Sequence, residues 1–317
     1  MRRHSTGHIM QQSQLSSGDV IADRRADYAK MLNEGGEPDA AAELMEQALE
    51  LTPVWAAGWY RLATYRENAG KVESAIEAYR KTLALDPEDT FGASLKLALL
   101  GDSETPDRPP SRYVERLFDD YAARFETSLV EKLDYTVPQK LAALVASTGR
   151  KYSLAVDLGC GTGLLGPEIC ARAGRLEGYD LSQNMLAKAA EKAIYHHLAR
   201  ADLSLAPEGS GVFADGAEYR ADLIAAADVL MYLGNLESTF ANVDRLATSG
   251  ADFAFSVEDA GEGDGFHLGP SLRYAHTESY VRSLCRRCGF ELIETVKTTI
   301  RKDGGKPVAG ILFLARR

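Results

Sequence analysis

The stretch Val156-Asp157-Leu158-Gly159-Cys160-Gly161-Thr162-Gly163 decides how this chain is read. An apolar run leads into it and a helical pattern follows it, so it marks the turn from a strand into a helix. Three glycines at alternate positions, Gly159, Gly161 and Gly163, permit a tight turn and let backbone N–H groups approach a ligand with no Cβ between them. A ligand should therefore lie over this loop. The carboxylate of Asp157, at the strand end, selects its charge. A pyrophosphate would bring negative charge up against it, whereas an ammonium and a sulfonium would be attracted. Gly161-Thr162-Gly163-Leu164-Leu165-Gly166 also satisfies the G-x-G-x-x-G of nucleotide dehydrogenases, but that pattern alone is a weak signal, and here the glycines begin two residues earlier.

Outward from the loop, short β-rich runs at 154–158, 175–179, 223–227, 252–257, 291–300 and 308–314 alternate with helical runs after Gly163, Ser182, Asp228 and Thr277. A third strand falls around 195–198, between the second and fourth. This alternation implies an α/β fold, a parallel sheet wrapped by helices. Asp303-Gly304-Gly305-Lys306 is a hairpin signal, so the final strand should run antiparallel to its neighbour. At the end of the second strand, Asp180 lies 23 residues after Asp157, where a carboxylate can accept both hydroxyls of a ribose. S-adenosylmethionine carries the two cations and the ribose that this arrangement asks for.

The glycine pattern from Gly159 resembles motif I of the class I S-adenosylmethionine-dependent methyltransferases, and the likeness extends over residues 113–317. It implies a Rossmann-like sheet of seven strands with the last one antiparallel. By that resemblance Asp157, Gly159, Cys160, Gly161 and Gly163 hold the cofactor, with Asp180 on its ribose. Asp202 accepts from the adenine amino group, and Leu181, Met185 and Leu203 pack on the ring, Met185 being equally readable as core. The fourth strand brings Ala226 toward the cofactor's amino acid. Asp228, just beyond it, is read as the N-cap of a following helix in preference to a chemical role. Helices over 113–146, with apolar residues at Leu117, Tyr121, Phe125, Leu129 and Leu133, would cover the cofactor; Tyr121 and Phe125 are lid candidates or plain helix packing.

Toward the N-terminus, Gly36 and Gly70, Ala41 and Ala75, Leu49 and Leu83, Leu51 and Leu85, and Pro53 and Pro87 each stand 34 residues apart. That is the period of a tetratricopeptide unit, two antiparallel helices closed by a proline. In the second unit Trp59, Leu62, Ala63, Gly70, Ala75, Tyr79 and Pro87 occupy the expected positions; in the first, Arg25 replaces the early aromatic. The domains are expected as a disordered tail over 1–20, helical repeats over 21–101, a linker over 102–112 and the methyltransferase domain over 113–317. The whole resembles a bacterial family that joins tetratricopeptide repeats to a class I catalytic domain. Two units and a helix are fewer than such arrays normally need, so the region is expected to lean on the remainder of the chain or on a second copy, or to recruit a protein partner.

Composition narrows the partners. Lys and Arg number 36 against 46 acidic residues, a net charge of −10, which repels nucleic acid and acidic membranes. No run reaches the ~18 apolar residues of a membrane span, and no secretory leader is evident, so the expected setting is a reducing cytoplasm. Four cysteines make no disulfide scaffold. Cys285 and Cys288 have zinc-like spacing but no second pair, so no metal is expected. The glycine-rich segment 258–276 follows the fifth strand, where substrate loops lie. His267, His276 and Tyr274 are candidate bases for a hydroxyl or amine acceptor, or structural residues; Arg273 is an anion clamp or a salt-bridge partner. The expected activity is methyl transfer to a small molecule or a recruited protein. The alternative is a cofactor-binding scaffold without turnover.

Overall fold

The computed structural model describes residues 15–122, 125, 135–214 and 216–317. These fall into two compact units, one ending at Pro106 and the other beginning at Asp107. Of the expected tail, residues 1–14 lie outside the described residues. Ser16 and Ser17 bind Asp23, and Asp19 caps the first helix by accepting from the amides of Ile21 and Ala22. Leu129 and Leu133 likewise lie outside the described residues.

The first unit is helical: α1 (Val20–Glu34), α2 (Pro38–Leu51), α3 (Ala56–Asn68), α4 (Val72–Leu85) and the shorter α5 (Ala93–Leu99). Buried alanines, among them Ala22, Ala29, Ala41, Ala63 and Ala75, let the helices approach closely. Gly36 and Gly70 take the left-handed conformation that each hairpin turn needs, with φ of 84° and 74°. Tyr79 is fully buried and donates to a carboxylate oxygen of Glu67 at 2.7 Å. Arg25, in the place of the early aromatic, reaches the carbonyl of Gln47.

The second unit opens with α6 (Ser111–Tyr121) and α7 (Val137–Ser147). Pro138 stands in the first turn of α7, where its missing N–H costs nothing, so it starts a helix rather than interrupting one. The sheet strands are β1 (Tyr152–Leu158), β2 (Ala173–Asp180), β3 (His197–Arg200), β4 (Ala221–Ala226), β5 (Ala247–Asp259), β6 (Phe266–Leu268), β7 (Tyr274–His276), β8 (Glu291–Asp303) and β9 (Lys306–Arg316). Helices α8 (Gln183–Glu191), α9 (Glu237–Leu246) and α10 (Glu278–Arg287) lie between them. Seven strands run in the order β3-β2-β1-β4-β5-β9-β8, with β9 antiparallel to both its neighbours. Gly304 and Gly305, both at positive φ, form the two-residue turn between β8 and β9. Side chains alternate between two apolar layers: Leu154, Val156 and Leu158 join α9 and α10, while Ala155 joins α7 on the other face.

Three expectations for this unit need correcting. The helical run after Gly163 shrinks to one turn, Gly166–Ile169, followed by a 3-10 turn. No helix begins at Asp228; a 3-10 turn, Leu230–Tyr232, follows it and α9 starts only at Glu237. The segment 258–276 is no simple loop. It carries the β6–β7 hairpin, which extends the sheet from Glu258 and Asp259 at the end of β5. Short strands of three residues carry too little alternation to be seen in sequence.

Gly310 in β9 shows how tightly the antiparallel strand fits. A Cβ there would stand 2.4 Å from Cγ2 of Ile300 and 2.8 Å from the carbonyl oxygen of Val257. Gly310→Ala should lower stability by about 1–3 kcal/mol, the usual penalty of overpacking. Urea unfolding checks this: a lower midpoint at unchanged slope is expected.

Candidate functional site

The loops beyond β1, β2 and β4 enclose a cavity of about 310 Å³. Gly159 and Gly161 form its floor at φ of 67° and 55°. At Gly159 a Cβ would lie 2.3 Å from Cγ2 of Val229, so only glycine fits there. Gly163 serves differently. It faces away from the cavity, and a Cβ on it would meet the ring of Tyr195 at 2.9 Å; the same ring fills the space beside Gly166 and Gly178. These glycines make room for Tyr195, whose hydroxyl donates to Oδ2 of Asp157 at 2.7 Å.

Asp157 is buried and its other oxygen, Oδ1, has no hydrogen-bond partner among the described residues. Burial pushes its pKa up to about 7, against the lowering bond from Tyr195, and the Asp180 carboxylate raises it further. Burial likewise raises Asp180 to about 6, although its oxygens accept from the amides of Ser182 and Gly161. Oγ1 of Thr162 and Nε of Arg301, also on the cavity wall, are buried without partners among the described residues. Buried polar atoms are almost always satisfied. Three residues of this one cavity, Asp157, Thr162 and Arg301, each keep such an unmet atom among the described residues.

A smaller recess of about 50 Å³ adjoins it, sharing Phe118, Gly159, Asp180, Val229 and Tyr232. Leu181, Asp202 and Leu203 line this recess, together with Val114 and Ser111 of α6. Asp202 accepts from the hydroxyls of Ser111 and Ser204 at 2.6 Å each. Helix α6 is fastened across the strand ends: Glu115 pairs with Arg200, and Asp119 accepts from the hydroxyl of Ser182.

The cofactor-site expectations thus divide. Tyr121, Asp157, Gly159, Cys160, Gly161 and Asp180 line the larger cavity, as does Phe125, while Leu181, Asp202 and Leu203 line the smaller. Met185 and Ala226 are fully buried in the core, and Ala227 takes the wall position expected of Ala226. The expected bases fall elsewhere. His267 is exposed on β6, where the strand's alternation turns it to solvent. His276 is fully buried off the cavity, donating from Nε2 to the carbonyl of Gly234 at 2.9 Å, and burial lowers its pKa to about 4, so it stays neutral. Tyr274 is buried against Phe266 and Gly234, and burial raises its phenol. A general base must reach the reacting proton, and none of these three borders the space where one would be.

Arg273 does line the cavity, bonded to Asp303 at 2.9 Å and to the Tyr232 hydroxyl at 3.3 Å. Four wall residues, Thr162, Tyr135, Tyr232 and Arg301, are not singled out by the sequence. Tyr195 reads there only as strand. The glycines at 163, 166 and 178 are the available signal for it, since each leaves room for the same ring.

Among known proteins, residues 156–253 match the family of a methyltransferase domain, and residues 56–89 match a tetratricopeptide repeat. The malonyl-[acyl-carrier protein] O-methyltransferase of Salmonella typhimurium is 28% identical over 116 residues, 37% of this chain and 43% of that protein. The match therefore spans less than half of the relative's length. Among solved structures, the N-methyltransferase NodS from Bradyrhizobium japonicum, in complex with S-adenosyl-L-homocysteine, is similar at a TM-score of 0.44 and 18% identity, covering 57% of this chain and 85% of that one. An S-adenosylmethionine-dependent methyltransferase from Mesorhizobium loti is similar at 0.41 and 22%, covering 56% and 98%. The chain thus carries one stretch similar to a tetratricopeptide repeat and another similar to a methyltransferase domain.

The raised pKa of Asp157 fixes a pH effect and its sign. Its folded value, about 7, lies above the unfolded value of 3.8, so the fold binds the extra proton and stability falls as pH rises between them. Asp157→Asn removes that loss. Without ligand, the variant should be more stable than the parent at pH 8, by on the order of 1–3 kcal/mol, and the gap should close toward pH 4. Thermal unfolding across that range measures it.

Proposed function

We propose that this chain is an S-adenosylmethionine-dependent methyltransferase acting on a small molecule or on a protein recruited by its helical repeats. The observation that carries the reading is the cavity beside Gly159 and Gly161 with the unpartnered Oδ1 of Asp157 on its wall. The cofactor supplies a methyl group on positively charged sulfur, ready for in-line displacement.

The residues present fit that group. Asp157 would meet the ammonium with Oδ1, the oxygen left without a partner while Oδ2 accepts from Tyr195. Asp180, at the junction of the two recesses, is placed for the ribose hydroxyls, and its bond from the Gly161 amide ties its position to the loop. Leu181 and Leu203 cover the faces of the adenine, with Asp202 toward its amino group. Phe118, Tyr121 and Phe125 form an aromatic wall that keeps water from the transferring methyl. Holding a nucleophile in line with an activated methyl supplies much of the acceleration.

Calorimetry on the full chain tests this reading. Micromolar binding of S-adenosylmethionine and of its demethylated product is expected, and Asp180→Ala should weaken it about 100-fold, a loss of charge-assisted hydrogen bonds. Affinity should climb as pH rises through about 7, where Asp157 loses its proton and begins to attract the ammonium. Binding of NAD without binding of the sulfonium would overturn the assignment. Transfer of labelled methyl into fractionated cell extract then separates a small acceptor from a protein, and its absence alongside cofactor binding would favour the scaffold reading.

A further inference from the structure

Helix α1 turns a row of large apolar side chains to solvent. Ile21 is 58% exposed, Tyr28 63% and Met31 65%. At three- and four-residue spacing, Ile21, Arg24, Tyr28 and Met31 lie on one face of the helix. Their equivalents in the second repeat, 34 residues on, are Trp55, Gly58, Leu62 and Tyr65. There the large side chains are buried, Trp55 at 6%, Leu62 at 1% and Tyr65 at 5% exposure, in one core with α1 and α2 of the first repeat. The row on α1 is therefore the surface on which a preceding repeat would stack, left open at the end of the array. Terminal repeats ordinarily carry a polar outer face at such an end, which keeps the array soluble. Here the positions remain isoleucine, tyrosine and methionine.

We propose that this open face pairs with the same face of a second copy of this chain, the two α1 helices running antiparallel about a two-fold axis. Such an interface needs a surface complementary to itself. The order of residues along α1 supplies one: apolar at both ends, Ile21 and Met31, with a cation, Arg24, beside a carboxylate and a phenol ring, Asp27 and Tyr28, between them. With the axis level with residue 26, Ile21 stands opposite Met31 of the second copy. Arg24 stands opposite Tyr28 of the second copy and next to its Asp27, and the two-fold makes every contact twice. The guanidinium then gains an aromatic face and a carboxylate. The second repeat makes the same kind of aromatic contact within the chain, Arg61 lying over the Trp55 ring at 5.4 Å.

Charge selects this occupant. Arg24 and Asp27 are both exposed. A partner surface of one sign would leave one of the two facing like charge, and a parallel copy would set Arg24 against Arg24; the reversed copy satisfies both. The pairing lies wholly within the helical unit and is independent of the methyl-transfer reading. Helix α1 has 15 residues, about 22 Å of length. A single helix face of that length is smaller than the about 800 Å² per partner of a standard interface, so a dissociation constant in the micromolar range is expected.

Sedimentation velocity on the full chain, from micromolar to submillimolar concentration, should show a reversible monomer–dimer equilibrium. Arg24→Glu and Asp27→Arg each bring like charges together twice and should each weaken the dimer about 10- to 100-fold. Both positions are exposed, so circular dichroism should show the fold unchanged. An equimolar mixture of the two variants separates self-pairing from every other cause. In it each new charge meets its opposite, and a heterodimer stronger than either homodimer should form; neither misfolding nor the docking of an unrelated partner gives recovery on mixing. A parent chain that stays monomeric throughout, leaving α1 to another segment or another protein, would overturn the proposal. So would a dimer indifferent to both substitutions, or a mixture that gains no dimer.

Discussion

One hydrogen bond organises the site: the Tyr195 hydroxyl on Oδ2 of Asp157. It fixes the carboxylate with one oxygen satisfied and the other buried without a partner among the described residues. The cost appears as a raised pKa, because a buried carboxylate with half its capacity unmet is poorly solvated. A cationic ligand restores what burial removed. The same bond explains why Gly163, Gly166 and Gly178 carry no side chain, since the Tyr195 ring occupies the space beside all three. Glycines that read as a ligand loop are thus shared between two tasks: Gly159 and Gly161 line the cavity, and the others make room for the ring of Tyr195, which bonds Asp157.

How much of this is legible in the sequence depends on whether the signal is local. The strand-to-helix turn, Asp180 at the end of β2 and the Gly304-Gly305 hairpin are each written in a few adjacent residues, and the fold follows from them. The 34-residue spacing of glycines and prolines marks the helical repeats for the same reason. The charged cluster beyond β4 is not legible, because Asp228, Glu258 and Arg301 stand 30 and 43 residues apart and meet only through the order β4-β5-β9-β8. Periodicity places Arg301 near the end of a strand; it does not say which strand end it will face. The candidate histidines mislead because near-neutral titration belongs to the free imidazole in water. In the fold, strand alternation turns His267 away to solvent, and burial holds His276 in its neutral form with its Nε2–H on the Gly234 carbonyl.

Asp228 shows how a local rule is overridden. An aspartate after a strand, ahead of an apolar run, satisfies the pattern of a helix cap. Here the chain turns through positive φ and forms only a 3-10 turn, which leaves the carboxylate free to pair with Arg301. Removing Arg301 would leave the Asp228 and Glu258 carboxylates facing each other without a cation between them, a severe penalty for groups so little exposed. The pair is therefore held in place by its own electrostatics as well as by the Ser256 bond to the backbone.

The choice posed by the glycine pattern, a dinucleotide or a sulfonium, turns on what stands behind the loop. A pyrophosphate site draws on the aligned N–H dipoles of a long helix that starts at the glycines. Behind Gly163 there is a single helical turn, Gly166–Ile169, too short to build such a dipole. The loop is instead flanked by two carboxylates, Asp157 buried and Asp180 half-buried, whose mutual repulsion already raises the pKa of the first. The arginines of the cavity, Arg273 and Arg301, are both committed to carboxylates, the first to Asp303 and the second to Asp228 and Glu258. A diphosphate placed over Gly159 would thus meet like charge with nothing to offset it, while a ligand bearing an ammonium relieves the penalty that burial imposes on Asp157.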